Sequence, residues 1–289
     1  MKDADNRVSN TRKDDPMLLC QISDLHVKEP GSLCYGVVDS AAALRACVDH
    51  IVRLPQRPDV VVATGDLTDF GRPREYRHLR ELLAPLPMPV YLMPGNHDDR
   101  DALRAAFPDH AYLRATSPHI QYAFDAGPLH VLALDTTVPG EGGGALDAPR
   151  LDWLEQKLVE AGGRPVVILM HHAPFPVGIG HIDSIGLADP EPLAAIVRRH
   201  PNVERVLCGH LHRPIQARFA GTIASTCPSP AHQVLLEFGP DAPNAFTLEP
   251  PAFQLHRWEP RFGLVSHMAF IGRFDGPYPF HDPTGALLE

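Results

Sequence analysis

A chain of 289 residues is long enough for one large domain or two modest ones around a substantial buried core. It carries 26 basic against 35 acidic residues, a formal charge of -9, and so lacks the basic track that a nucleic-acid surface requires; no nucleic-acid partner is expected. A small anionic substrate stays compatible, because metal ions at a site reverse the local sign. The five cysteines are odd in number, widely spaced and form no C-x-x-C pair, which speaks for a reducing, cytoplasmic setting. No apolar stretch reaches the ~20 residues that span a bilayer, and the first turns of the chain hold no apolar run of a secretory signal.

Taken in chain order, residues 1–16 are polar and mixed in charge, and are expected to be disordered. The apolar run Met17–Ile22 reads as a buried strand, and Asp24-Leu25-His26 follows it. Ser40–Leu54 is a helical segment. A second run, Val60–Ala63, leads into Gly65-Asp66, and Arg74–Leu83 is the next helix. A third run, Val90–Met93, ends in Gly95-Asn96-His97-Asp98. His130–Leu134 is a further strand; the Gly140–Gly144 stretch beyond it lacks the Lys-Ser/Thr of a phosphate-binding loop and reads as a flexible connection. Helix Pro149–Glu160 separates it from strand Val166–Met170, which runs into His171-His172. Helix Glu191–Arg199 and strand Val203–Cys208 lead to Gly209-His210-Leu211-His212. The alternation over 17–221 defines an α/β catalytic domain. From Thr222 proline becomes frequent and helical signals vanish. Gln233–Phe238 and Phe246–Glu249 read as strands of a small β appendage, a cap or dimerisation region over 222–289.

The five polar motifs each follow an apolar run, and ligands of open α/β sheets gather outside the carboxyl ends of the strands. In Asp24-Leu25-His26 and His210-Leu211-His212 the donors are one residue apart, so both can turn to one metal while leucine faces the core. Asp66 is the natural bridge, since one carboxylate can hold two divalent ions ~3.5–4 Å apart. Asn96 supplies a neutral amide oxygen. Mixed nitrogen and oxygen donors without thiolate suit Mn, Fe, Zn or Co. Singly, each motif has an ordinary alternative. Asp-x-His is often a capping or surface pair, Gly-Asp a turn in which Asp bonds its own backbone, and His171-His172 one core histidine beside an exposed one. All five in this order point to a dinuclear metal hydrolase of phosphate esters.

At these residues the chain resembles the calcineurin-like metallophosphoesterases, whose pattern is D-x-H, G-D-x-x-D, G-N-H-D/E, H and G-H-x-H; the likeness covers 17–220. Tyr35-Gly36-Val37-Val38-Asp39, Leu134-Asp135-Thr136-Thr137-Val138-Pro139-Gly140 and the β-rich tail add a likeness to bacterial class III cyclic-nucleotide phosphodiesterases and glycerophosphodiesterases. The resemblance implies a four-layer α/β/β/α sandwich. It implies Asp24, His26, Asp66 and His212 as ligands of one divalent metal ion and Asp66, Asn96, His171 and His210 as ligands of a second. His171 is taken over His172 on the spacing to Pro174. His97 is then a non-ligating histidine that stabilises phosphoryl oxygens or protonates the leaving group, with Asp98 as its orienting partner. The expected reaction is hydrolysis of a small phosphodiester, 3′,5′-cyclic AMP or a glycerophosphodiester, by a hydroxide bridging two metals. A phosphomonoesterase or nucleotide pyrophosphohydrolase of the same fold is the alternative, and a non-catalytic scaffold a remote one. A homodimer or higher homo-oligomer is expected. The loop Gly178–Leu187, with His181 and Asp183, is expected to reach the leaving group.

Overall fold

Two β-sheets face each other in a computed structural model that describes residues 16–114 and 117–288. The segment expected to be disordered, 1–16, lies outside the described residues apart from Pro16. In chain order the elements are β1 (Met17–Ile22), α1 (Ser40–Arg53), β2 (Val60–Thr64), α2 (Pro73–Leu83), β3 (Val90–Met93), α3 (Arg100–Ala106), β4 (Tyr122–Ala126) and β5 (Leu129–Ala133). They continue with α4 (Ala148–Ala161), β6 (Val166–Leu169), α5 (Gly180–Asp183), α6 (Glu191–Arg199), β7 (Val203–Cys208), β8 (Gln216–Phe219) and β9 (Thr222–Thr226). Last come β10 (Gln233–Val234), β11 (Phe246–Thr247), β12 (Ala252–Glu259) and β13 (Gly263–Phe270). Three helices start where an aspartate accepts from a first-turn backbone N–H: Asp39 from Ala42, Asp99 from Ala102 and Asp147 from Arg150.

The five-stranded sheet has the order β13-β12-β1-β2-β3, with β1, β2 and β3 parallel and β12 antiparallel to β1. The six-stranded sheet has the order β4-β5-β6-β7-β9-β8, parallel from β5 to β9. Strand periodicity explains the layers, because alternate side chains leave opposite faces. Leu129, Val131, Ala133, Val167, Leu169 and Leu207 belong to one core cluster with residues of β1–β3 and α1–α3. Their neighbours Leu132, Val166, Ile168 and Val206 pack outward with α4 and α6 residues such as Leu154, Leu158, Leu193 and Val197. The result is the four-layer α/β/β/α sandwich. Among the described residues no helix is long and apolar enough to cross a membrane.

The C-terminal region departs from the expected appendage. The boundary set at 221/222 falls inside the β8–β9 hairpin, and β9 runs parallel to β7. β12 and β13 complete the other sheet. Only β10 and β11 form a small sheet of their own. The apolar pattern of β12 is interrupted by Gln254 and His256, yet both are buried. His256 reaches Ser266 Oγ at 2.7 Å and Gln21 Oε1 at 3.1 Å, while Gln21 Nε2 donates to Thr64 Oγ1 at 2.9 Å and to the Cys208 carbonyl at 3.0 Å. This satisfied polar network lies between the sheets and ties them together.

Candidate metal centre

The carboxyl ends of β1, β2 and β3 from one sheet meet those of β6 and β7 from the other, and the five motifs leave the strands there. The turns out of the strands are tight. Asp24, His26, Asp66, His210 and His212 all have left-handed backbones, with φ of 55°, 44°, 48°, 70° and 52°. For residues with a Cβ, such conformations cost on the order of 1–3 kcal/mol each and persist where the surroundings impose them. Gly95 is required for a separate reason: a Cβ there would overlap the Asp66 carboxylate and backbone nitrogen.

Four imidazoles surround the cluster, three of them arranged alike. His171 Nδ1 donates to the Thr64 carbonyl at 2.8 Å, which leaves Nε2 3.0 Å from Asn96 Oδ1 and 3.3 Å from Asp66 Oδ1. His212 Nδ1 donates to the His232 carbonyl at 3.0 Å, and its Nε2 lies 3.1 Å from His26 Nε2. His26 Nδ1 is 3.2 Å from the Asp69 carboxylate. The Ile185 backbone carbonyl lies beside the His210 ring, and the His210 Nε2 is buried without a partner. In the rings of His171, His212 and His26 one nitrogen is committed outward while the other converges on the cluster, the arrangement by which proteins fix the tautomer of metal-binding histidines. Asp66 stands in the middle, with Oδ1 3.3 Å from His171 and Oδ2 3.6 Å from His26. Asp24 Oδ1 accepts from the His210 backbone N–H at 2.8 Å; its Oδ2 is buried and unpartnered.

This donor set fits divalent cations. Asp24, His26, Asp66 and His212 form one group close enough to hold an ion. Two imidazole Nε2 atoms 3.1 Å apart, and buried unpartnered oxygen and nitrogen atoms on Asp24 and His210, need a positive charge among them. The electrostatics agree. Burial pushes the Asp24 carboxyl up to about 6, the Asp66 charge adding to it against the opposing imidazoles. Burial lowers His171, but the Asp66 and Asp24 carboxylates outweigh it and push the ring up to about 9. Burial also raises Asp66, and the His171 and His97 imidazoles reverse that and hold it well below the usual carboxylate range. His210, buried and facing charged His171, falls to about 3, so its lone pair stays free at neutral pH. The cluster stabilises positive charge at its centre.

His172 lies close enough to His171 and His210 to share an ion with them, but both of its ring nitrogens are engaged elsewhere. Its Nε2 bonds the Gly142 carbonyl at 3.1 Å and its Nδ1 meets Thr136 Oγ1 at 2.8 Å. Of the adjacent pair, His171 is the one whose free nitrogen faces Asp66 and Asn96. His97 lines the pocket beside the cluster, and its Nδ1 bonds the Asp69 carbonyl at 2.8 Å while its backbone N–H donates to Asp66 Oδ1 at 2.9 Å. The orienting role expected of Asp98 therefore falls to the Asp69 backbone. Asp98 instead accepts from the backbone N–H groups of Leu67, Thr68 and Gly95 and from the Thr68 and Tyr76 hydroxyls, tying the loops after β2 and β3 together.

The cavity above the cluster encloses about 390 Å³. Tyr35, His181, Ile185, His232, Asn244 and Phe246 form its rim. Asp183 does not reach the cavity, because its carboxylate accepts from the Val177 and Gly178 backbone N–H groups at 2.7 and 2.8 Å. Sequence reasoning missed Asp69, His232 and Phe246. The second aspartate of G-D-x-x-D was a signal for Asp69; nothing in the Ser229-Pro230-Ala231-His232 context marked His232. Tyr35, His232 and Phe246 pack ring against ring, with centroids 5.0 to 5.4 Å apart.

A two-sheet sandwich with this donor set at its strand ends defines a metallophosphoesterase. The model of the calcineurin-like phosphoesterases matches residues 17–214, and the chain belongs to that family of hydrolases. Among curated relatives, it is 37% identical over 274 residues to a probable glycerophosphodiester phosphodiesterase of Arcobacter nitrofigilis, covering 94% of this chain and 100% of that protein. It is 33% identical to a glycerophosphodiester phosphodiesterase of Enterobacter lignolyticus, covering 92% and 95% of the two chains. A 3′,5′-cyclic adenosine monophosphate phosphodiesterase of Pseudomonas aeruginosa is 34% identical, with 72% of this chain and 74% of that one covered. A dimetal phosphatase from Danio rerio shares the fold at a TM-score of 0.60 and 18% identity, over 89% of this chain and 100% of that chain.

Proposed function

We propose that this protein is a dinuclear metal-dependent phosphodiesterase that cleaves small phosphodiesters, a glycerophosphodiester or a 3′,5′-cyclic nucleotide. The observation that carries the reading is Asp66, which presents one carboxylate oxygen to His171 and the other to His26. Asp24, His26, Asp66 and His212 would hold one divalent ion; Asp66, Asn96, His171 and His210 would hold the other. Bound there, two such ions neutralise charge on phosphoryl oxygens and acidify water enough to supply a nucleophile near neutral pH. Asp66 keeps both halves of the site in register. His97, with Nδ1–H committed to the Asp69 carbonyl, presents Nε2 to the cavity, where the doubly protonated ring would donate its Nε2 proton to a leaving alkoxide or a hydrogen bond to a phosphoryl oxygen.

The cavity lining also bears on the kind of ester. Among the described residues that line it there is no lysine or arginine. A phosphomonoester dianion would bring a second negative charge with no side-chain cation to meet it, whereas a diester carries one. The names of the relatives point the same way. The exposed apolar side chains of β13 and beyond, among them Met268, Phe270 and Phe274, support a homo-oligomer. Five buried, unpaired thiols suit a reducing cytoplasm. The deciding experiment compares one manganese-loaded preparation on 3′,5′-cyclic AMP, a glycerophosphodiester, an aryl diester and the matching aryl monoester. Faster turnover of the aryl diester than of its monoester is expected; the reverse order would overturn the diesterase reading.

A further inference from the structure

We infer that His172, which is not itself a ligand in the reading above, is the positioning residue for His210. Both of its ring nitrogens are committed away from the cluster. A carbonyl can only accept, so the 3.1 Å contact with Gly142 places the proton on Nε2, and Nδ1 then accepts from the Thr136 hydroxyl at 2.8 Å. Thr136 Oγ1 in turn accepts from the His172 backbone N–H at 3.4 Å. The ring is fully buried and packed between two others, 4.9 Å from His171 at 86° and 4.7 Å from His210 at 51°, centroid to centroid.

A second connection reaches His210 from the opposite side. The glycine-rich stretch that supplies the Gly142 carbonyl also packs Gly144 against His172, where any Cβ would overlap the imidazole. Gly144 N–H donates to the Gly186 carbonyl at 3.1 Å, and the Ala188 N–H donates to the Gly144 carbonyl at 2.7 Å. The braced segment 185–188 carries the Ile185 carbonyl, which lies beside the His210 ring. His172 therefore packs on His210 directly and also holds, through Gly142 and Gly144, the stretch of backbone that lies beside the His210 ring. The stretch expected to be a flexible loop is a clamp. The same segment places Ile185 on the cavity wall, so the clamp also shapes the rim.

The inference rests on the two-ion reading, so its test has one arm with metal and one without. Metal-depleted protein is titrated with Mn2+ by equilibrium dialysis. His172→Phe, which keeps the ring but removes both hydrogen bonds, is expected to weaken one of two sites by ~10–100-fold, the usual loss when a group orienting a metal ligand is removed. The other site stays as in the wild type. Thr136→Val is expected to weaken the same site in the same direction, and His172→Gln, which keeps a donor for Gly142, less than His172→Phe. In the metal-free arm, the His210 ring resonances of His172→Phe and Thr136→Val are followed by long-range 1H–15N spectra and are expected to shift or broaden. Unchanged affinities and unchanged His210 signals in both variants would overturn the inference. So would loss of one ion in His172→Phe with Thr136→Val unaltered, since that is the behaviour of a direct ligand. Fewer than two ions on the wild type, with His210 still perturbed in the variants, would fault the two-ion reading and leave the positioning role standing.

Discussion

The floor of the cavity and its rim are supplied by different parts of the chain. On the floor, every expected ligand and His97 lies within four residues of a strand end: Asp24 and His26 after β1, Asp66 after β2, Asn96 and His97 after β3, His171 after β6, His210 and His212 after β7. Rim residues come from connections: Tyr35 from the β1–α1 loop, His181 and Ile185 from α5 and the turn beyond it, His232 and Asn244–Phe246 from around the small β10–β11 sheet. Strand ends are fixed by two sheets and a shared core, so they can impose strained backbone and hold charge in place. Connections have fewer constraints and are free to vary. In the proposed function the floor would account for the reaction and the rim for the choice of ester.

Four experiments would break or sharpen that division. The largest effect is expected from chelation of divalent ions, which removes the charge on which the floor depends and abolishes turnover for every ester; activity restored by added Mn2+ distinguishes loss of metal from unfolding. Next, His97→Ala should keep both metals but lose at least ~10-fold in kcat, the low end of what one positioned acid or donor supplies. Full activity in that variant would remove His97 from the floor's chemistry.

A rim substitution should behave otherwise. Phe246→Ala removes the ring packed on Tyr35 and His232. It should raise KM by roughly 5–30-fold with kcat little changed, the ~1–2 kcal/mol that an apolar pocket contact is worth. A kcat loss as large as that of His97→Ala would erase the distinction between the regions.

The smallest effect concerns the staple beneath the rim. Arg213 donates to the Val234 carbonyl at 2.6 Å and to both Glu249 oxygens at 3.1 and 2.8 Å. Its hydrogen bond holds the Glu249 carboxyl below the usual range. A depressed carboxyl contributes stability above its unfolded pKa of about 4.3 and loses it as pH falls through the lowered folded value. Glu249 is 42% exposed on its side chain, so solvent screens the pair, and Glu249→Gln should cost no more than ~1 kcal/mol at pH 7. Thermal melts at falling pH should show the wild type and the variant converging in acid; a constant gap would assign the effect to packing.

What could be read from the sequence follows the same line. Met17–Ile22, Val60–Thr64, Val90–Met93 and Val203–Cys208 are short apolar runs buried along their length or nearly so, and each announces the donor that follows it. β12 escaped because Gln254 and His256 are buried polar residues whose partners lie on β9, β13 and β1, where no local pattern reveals them. β10 and β11 begin where the expected strands Gln233–Phe238 and Phe246–Glu249 begin, but each is only two residues long, shorter than its apolar run suggests. Asp98 was misread because adjacency to His97 suggests a partner, whereas the turn aims its carboxylate at backbone donors of the neighbouring loop. His171 and His172 are equivalent as letters and differ only in what their nitrogens meet.

The central claim is that Asp66 joins the two halves of one dinuclear site, and metal content per chain in the wild type and in Asp66→Ala tests it most directly. The account predicts two divalent ions on the wild type, none held by the variant, and loss of turnover with them. Two ions still bound to a folded Asp66→Ala would contradict it.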